Sequence, residues 1–212
     1  MSNDKLVPKQ TVEVTVTGLG STGEGVGKIN GFTVFAHGGL PGETVKVKLD
    51  SVKKTYAVGR VVDILKPSAD RCEPVCPIYE ECGGCQLQHL NYDAQLKIKT
   101  QQVRDALTRI GHLKHVDVLP TLRATEPTFY RNKMQFPVAT TEGQLEIGCF
   151  AAATHRVVDV DNCFIQKEKN NKIIGVVREW MQKYHISPYT EDKGTGIVRH
   201  VMGRVGVHTG DV

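Results

Sequence analysis

The stretch Thr11-Val12-Glu13-Val14-Thr15-Val16 alternates polar and apolar side chains with period two, the mark of a half-buried strand. Phe32-Thr33-Val34-Phe35 is a further apolar run. Val45-Lys46-Val47-Lys48-Leu49 alternates again, as does part of Ala57 to Leu65. Asn30-Gly31 suits a tight hairpin, because both central positions of such a turn need positive φ. Leu40-Pro41-Gly42-Glu43 is a second turn signal. About five short strands and no helix in roughly 55 residues predict a small closed barrel, since closure removes exposed edges. Lys66-Pro67-Ser68 reads as the boundary, dividing the chain into residues 1–66 and 67–212.

Gly18-Leu19-Gly20-Ser21-Thr22-Gly23 matches G-x-G-x-x-G and follows a strand. A dinucleotide site needs a helix next, so that the helix N-terminus meets the pyrophosphate. The continuation Glu24-Gly25-Val26-Gly27-Lys28-Ile29-Asn30-Gly31 is glycine-rich and runs into the hairpin turn. The motif is therefore read as a barrel loop.

The 212 residues fit one large domain or two small ones, and 40% apolar with 24% charged residues is globular composition rather than disorder. No apolar run is long enough to span a membrane. Met1 to Gln10 is polar and lacks the apolar core of a signal peptide, so a cytoplasmic protein is expected. Nothing in the chain demands an obligate protein partner. The formal net charge of +4 hides a pattern: residues 1–69 carry +3, residues 70–96 carry −4, residues 97–133 carry +5, and residues 134–212 balance. Four of the six cysteines lie in the acidic block. The basic block after it is either a footprint for phosphate or a solvated face.

Past the cysteines, Asn91 can cap a helix in which Tyr92, Leu96, Val103, Leu107 and Ile110 recur at helical spacing, with Gly111 as its C-terminal glycine. Lys97 and Arg104 fall off that stripe. Strands are predicted over Tyr130 to Val138, Leu145 to Phe150, Arg156 to Val160 and Ile197 to Val205. A second helix is predicted from about Lys167 to Tyr184, with Ile173, Val177, Trp180, Met181 and Tyr184 inward. The chain stops at His208-Thr209-Gly210-Asp211-Val212, a turn signal and one valine, as expected of a truncated domain.

The densest chemistry is Cys72-Glu73-Pro74-Val75-Cys76-Pro77-Ile78-Tyr79-Glu80-Glu81-Cys82-Gly83-Gly84-Cys85. The Gly-Gly turn lets the sulfurs of Cys82 and Cys85 converge while backbone N–H groups point at them, which stabilises thiolate charge. With Cys76, three thiolates need a fourth to complete a four-cysteine site for an iron–sulfur cluster or zinc. Cys72 is near but crowded, and Cys149 sits in an apolar strand where a buried thiol is the plain reading. Cys163 follows a strand in a loop free to reach across, and is favoured. Zinc ribbons usually present two Cys-x₂-Cys knuckles, and this chain has one, which suits [4Fe–4S] better. A disulfide framework is disfavoured in a cytosolic chain.

Cys76-Pro77, Cys82-Gly83-Gly84-Cys85, Gln88-His89, the Tyr92–Gly111 helix and Tyr130-Arg131-Asn132-Lys133 together resemble the RNA uracil-5-methyltransferase family. The front barrel, with Gly25-Val26-Gly27, Gly31-Phe32-Thr33-Val34-Phe35 and Leu40-Pro41-Gly42-Glu43, looks like its TRAM domain, an OB-like RNA-binding module. The resemblance covers nearly the whole chain. It implies an α+β protein, an OB-like β-barrel followed by a mixed α/β iron–sulfur domain. Cys76, Cys82, Cys85 and Cys163 would hold a [4Fe–4S] cluster. RNA would approach Arg131 and Lys133, which share one strand face by period two, and Arg199 and Arg204. The partner implied is 23S rRNA, because the cluster-bearing, TRAM-bearing forms are mainly the rRNA branch. Family members continue into a domain that binds S-adenosylmethionine and supplies a cysteine nucleophile and a carboxylate base. That domain has no counterpart in this sequence, so no catalytic residue is assigned and the chain alone is expected to be inactive. The alternative is a stand-alone RNA-binding iron–sulfur or zinc protein without catalysis.

Overall fold

The computed structural model describes residues 6–212; the first five residues of the polar N-terminal stretch, and of the expected 1–66 domain, lie outside them. The chain divides into two compact units, residues 1–74 with 86–123, and residues 75–85 with 124–212.

The first unit is built on a closed barrel of β1 (Thr11–Leu19), β2 (Gly25–Ile29), β3 (Phe32–His37), β4 (Thr44–Val52) and β5 (Tyr56–Lys66). The order around the barrel is β1-β2-β3-β5-β4, with β4 paired back to β1. All pairs are antiparallel except β3 with β5. The period-two alternation does its expected work: Val14, Val16, Val34, Val45, Val47 and Leu49 fill the interior with Ala36 and Ala57. Asn30 and Gly31 turn between β2 and β3 with φ of 49° and 85°, the double positive φ that the hairpin requires. Gly27 is needed for a different reason: a Cβ there would strike Val14 Cγ1 and the Thr15 carbonyl. The G-x-G-x-x-G stretch is the loop from β1 into β2, and no helix follows it.

Glu43 closes this unit. The Leu40-Pro41-Gly42-Glu43 turn, with Gly42 at φ 87°, buries the Glu43 carboxylate at 0% exposure. Arg71 meets it with both Nε (2.6 Å) and Nη2 (2.8 Å), and the N–H groups of Leu40 and Ser68 donate at 2.9 and 3.2 Å. A buried charge is tolerable only when it is paired and fully hydrogen-bonded. The expected boundary at residues 66 and 67 marks the end of β5, while the compact unit also takes in residues 67–74 and 86–123.

Helix α1 (Tyr92–Asp105) begins where Asn91 Oδ1 accepts from Ala94 N at 2.8 Å. A π-helical turn, Ala106–Ile110, ends it, closed by Gly111 N–H to the Ala106 carbonyl at 2.9 Å. The inward face differs from the expected stripe. Ala94 packs with Leu40 and Leu90, and Leu19 and Ile98 join them, whereas Val103 is 51% and Ile110 80% exposed. Small Ala94 permits close approach to the barrel, and the helix rotates to use it.

The second unit is a four-stranded antiparallel sheet, order β8-β7-β6-β9, from β6 (Lys133–Thr141), β7 (Gln144–Phe150), β8 (Val157–Asp159) and β9 (His200–Arg204). Helix α2 (Glu168–Lys183) covers one face, placing Ile174 and Met181 against Met134, Phe136, Val138, Ile147 and Val201. Ile173 and Val177 face that core as expected. Trp180 and Tyr184, expected inward, are exposed, and Ile174 takes the buried place. Among the described residues no helix is long and apolar enough to cross a membrane.

Candidate functional site

The second unit gathers five of the six cysteines. Residues 76–85 fold into successive turns, with Tyr79 N–H on the Cys76 carbonyl and Cys82 N–H on the Ile78 carbonyl. The loop is then fastened to the end of β7: Cys82 bridges Ala151, and Gly83 N–H donates to the Phe150 carbonyl at 3.0 Å. Gly83 must lack a side chain, because a Cβ would lie 2.8 Å from the Phe150 carbonyl oxygen and 2.9 Å from Ala152 N. Gly84 N–H donates to Cys82 Sγ at 3.4 Å, the backbone donor that the Gly-Gly turn was expected to supply.

Cys149 enters from β7. It lies two residues from Ile147, so the two share the inner sheet face, and its thiol is hydrogen-bonded to Cys82. Cys163 follows β8 and is held by Asn171 of α2: Cys163 N–H donates to Asn171 Oδ1 at 3.0 Å, and Asn171 Nδ2 donates to the Cys163 carbonyl at 3.3 Å. Cys163 and Cys82 are close enough to raise the Cys76 thiol electrostatically, and Cys82, Cys163 and Cys85 do the same to Cys149. Cys76, Cys82, Cys85, Cys149 and Cys163 therefore form one group of interacting, half-buried thiols. Cys72 belongs to the other unit, where its thiol donates to the Gln88 carbonyl at 3.4 Å.

The protonation pattern follows from these contacts. The hydrogen bond from Cys149, aided by Gly84 N–H, brings Cys82 down to about 6 against the opposing effect of burial. Cys149 is pushed up, first by holding its proton in that bond and then by burial. Burial is the main cause of the rise at Cys76. Among the described residues, no three His, Cys, Asp or Glu side chains converge on a point that would hold a single metal ion. The donor set is nonetheless all thiol, one member is biased toward thiolate, and backbone N–H reaches a sulfur. This is the chemistry that a thiolate-held group requires.

The sequence pattern did not select one member of this group, Cys149, or the group's neighbour Asn171. Cys149 looked like a core thiol, yet its parity with Ile147 along β7 could have placed it on the inner face. Asn171 lies in the first turn of α2 with nothing in the local pattern to mark its clasp on Cys163.

Of the basic residues, Lys133 and Arg204 lie on the β6–β9 ribbon of the same unit, and Arg131 and Arg199 just before its two strands. Lys133 and Arg204 are direct cross-strand partners, and both are exposed. Arg131 precedes β6, joins Gln166 through a parallel bridge and donates its Nε to the Lys133 carbonyl at 3.2 Å. It is also exposed. Outward positions Gln135, His200 and Met202 continue the ribbon without a carboxylate. Arg199 is engaged elsewhere: Nη2 meets Glu191 Oε1 at 2.7 Å, and the guanidinium lies 5.3 Å from the Tyr189 ring centre.

Comparison with known proteins adds the following. The family model described as TRAM domain matches residues 7–62. An uncharacterized RNA methyltransferase of Clostridium tetani is 45% identical over 100% of this chain and 46% of its own length. One from Halalkalibacterium halodurans is 46% identical over 95% of this chain and 44% of its own. The chain thus spans about half the length of the curated relatives it matches. Among solved structures, the Pyrococcus abyssi tRNA (uracil-54, C5)-methyltransferase, crystallised with S-adenosyl-L-homocysteine, is similar with a TM-score of 0.66 and 25% identity, covering 94% of this chain and 44% of that one. Residues 7–62 form a TRAM domain, and the chain has RNA methyltransferases as homologues.

Proposed function

We propose that the chain is the RNA-recognition portion of an S-adenosylmethionine-dependent uracil-C5 methyltransferase that acts on 23S rRNA. One observation carries the reading: the likeness to RNA methyltransferases runs through 100% of the chain, so the TRAM barrel and the cysteine-bearing sheet unit are both inside it. S-Adenosylmethionine supplies the methyl group when bound, and no residue described here is assigned to holding it or to the chemical step.

The part that these residues play is grip. Uracil C5 and C6 are out of reach while the base is stacked, so the base must leave the stack at a cost of a few kcal/mol. Contacts to the surrounding backbone and splayed bases offset that cost. Lys133, Arg204 and Arg131 offer three cations on one exposed ribbon, suited to phosphate oxygens. Arg199, paired with Glu191, would have to leave that partner first.

Cys76, Cys82, Cys85 and Cys163 would hold the [4Fe–4S] cluster, which would tie residues 76–85 to residue 163 across the sheet unit. Anaerobic purification tests this. Brown protein with about four irons per chain is expected, and colourless protein with one zinc would replace the cluster with a structural metal.

The RNA is tested by binding the chain to a 23S rRNA fragment and to tRNA at one salt concentration. The expected result is rRNA favoured by about tenfold or more. A tRNA substrate is the second reading, favoured by the shared fold with the Pyrococcus abyssi enzyme, and a tRNA preference in this assay would install it. A stop codon directly after Val212 in the gene would favour a stand-alone RNA-binding protein, and a reading frame continuing into a methyltransferase domain would favour the enzyme.

A further inference from the structure

The group of thiols holds one more cysteine than a four-ligand cluster uses. The extra one, Cys149, is hydrogen-bonded to Cys82. Backbone builds this contact. The Cys82–Ala151 bridge and the bond from Gly83 N–H to the Phe150 carbonyl fix the loop in register on β7. Gly84 lies against both sulfurs and leaves them room to meet, since a Cβ there would be 3.4 Å from Cys82 Sγ and 3.6 Å from Cys149 Sγ. Both residues are partly exposed, so a small reagent can reach them.

We propose that Cys82 and Cys149 form a reversible disulfide in the metal-free protein, written by low-molecular-weight disulfides and withdrawing one ligand from the cluster site. The inference rests on the ligand assignment proposed above. The chemistry is two thiol–disulfide exchanges. Cys82 Sγ attacks one sulfur of the small disulfide, whose S–S bond breaks and releases one thiol. Cys149 Sγ then attacks the mixed disulfide at Cys82 Sγ, expelling the second thiol. Two protein thiols are oxidised and one small disulfide is reduced to two thiols, so no other oxidant is needed. A strong dithiol reductant reverses both steps. Bound metal would hold Cys82 as a ligand and block the first step, making oxidation and cluster loading mutually exclusive.

The test uses the wild-type chain, prepared reduced and metal-free, then treated with oxidised glutathione. Remaining thiols are alkylated, and the peptides are mapped. The expected result is an intact mass lower by two hydrogens and a dominant peptide joining Cys82 to Cys149. A dominant link between Cys82 and Cys85, or between Cys76 and Cys163, would overturn the proposal, as would six alkylated cysteines. Cys149→Ser should stop the exchange halfway and leave glutathione on Cys82, whereas Cys163→Ser should keep the crosslink. Reconstituted Cys149→Ser should take up as much iron as the wild type, and a clear loss of iron would make Cys149 a ligand and sink the proposal. The two readings fail separately: a wild-type chain that crosslinks as expected but takes up no iron overturns the ligand assignment alone.

Discussion

Glu43 and His89 make the first unit acid-sensitive, and the direction follows from their surroundings. Burial alone would raise the Glu43 carboxyl, but Arg71 and the N–H groups of Leu40 and Ser68 outweigh it and hold the group below its ordinary range. His89 is 5% exposed. Burial first, and then the charge of Arg71, bring it from an ordinary 6.5 down to about 4, while Glu43 pulls weakly the other way. A depressed histidine stays neutral when folded, so below pH 6.5 the unfolded chain binds a proton that the folded chain refuses. Stability therefore falls between pH 6.5 and about 4, by at most about 1.4 kcal/mol per pH unit. The depressed Glu43 adds its own loss from its ordinary value of 4.5 downward, as the pH drops through its folded pKa. Thermal melts from pH 7 to 4 should show this decline, and His89→Gln should flatten it. A wild-type profile without slope between pH 6.5 and 4 would refute the role given to His89. Arg71→Ala should be the costlier change, about 3–5 kcal/mol in urea titration, because it strands a buried carboxylate.

Secondary-structure elements show how a correct pattern can carry an ambiguous face. The strands were legible because period two leaves one choice of inward set, and Val14, Val16, Val45 and Val47 took it. Helix α1 was legible as a helix through Asn91, whose Oδ1 does cap Ala94 N. Its inward face was not, because Leu96 and Val103 lie on one side of Tyr92–Asp105 and Ile98 on the other, and the small Ala94 decided the docking. Trp180 and Tyr184 misled in the same way, since size alone does not bury an amphipathic side chain at a helix end. Asn91→Ala is expected to cost about 1 kcal/mol, and somewhat more if the bond from Asn91 Nδ2 to Asp70 Oδ1 (2.8 Å) contributes. Urea unfolding measures it. An unchanged midpoint would mean that the cap does not stabilise the unit.

For the molecule as a whole, the closed barrel and the order of elements followed from alternation and turn chemistry in Asn30-Gly31 and Leu40-Pro41-Gly42-Glu43. The cysteine group was legible in part. Spacing singled out Cys76, Cys82 and Cys85, and loop position favoured Cys163, but the approach of Cys149 depends on β7 pairing with β8 and on the clasp of the loop to Phe150, contacts distant in sequence. The basic ribbon was legible at Arg131 and Lys133 by parity. Arg204 was named only through the family resemblance; what sets it beside Lys133 is the register of β9 on β6, and the same fold ties Arg199 to Glu191.

RNA recognition through this ribbon is tested most directly by the salt dependence of RNA binding. Each phosphate contact contributes about 0.7–0.9 to the slope of log K against log salt. Lys133→Ala combined with Arg204→Ala should therefore lower the slope by about 1.4–1.8 and weaken binding across sequences, whereas Arg199→Ala should leave it near the wild-type value. A double variant with the wild-type slope and affinity would contradict the account.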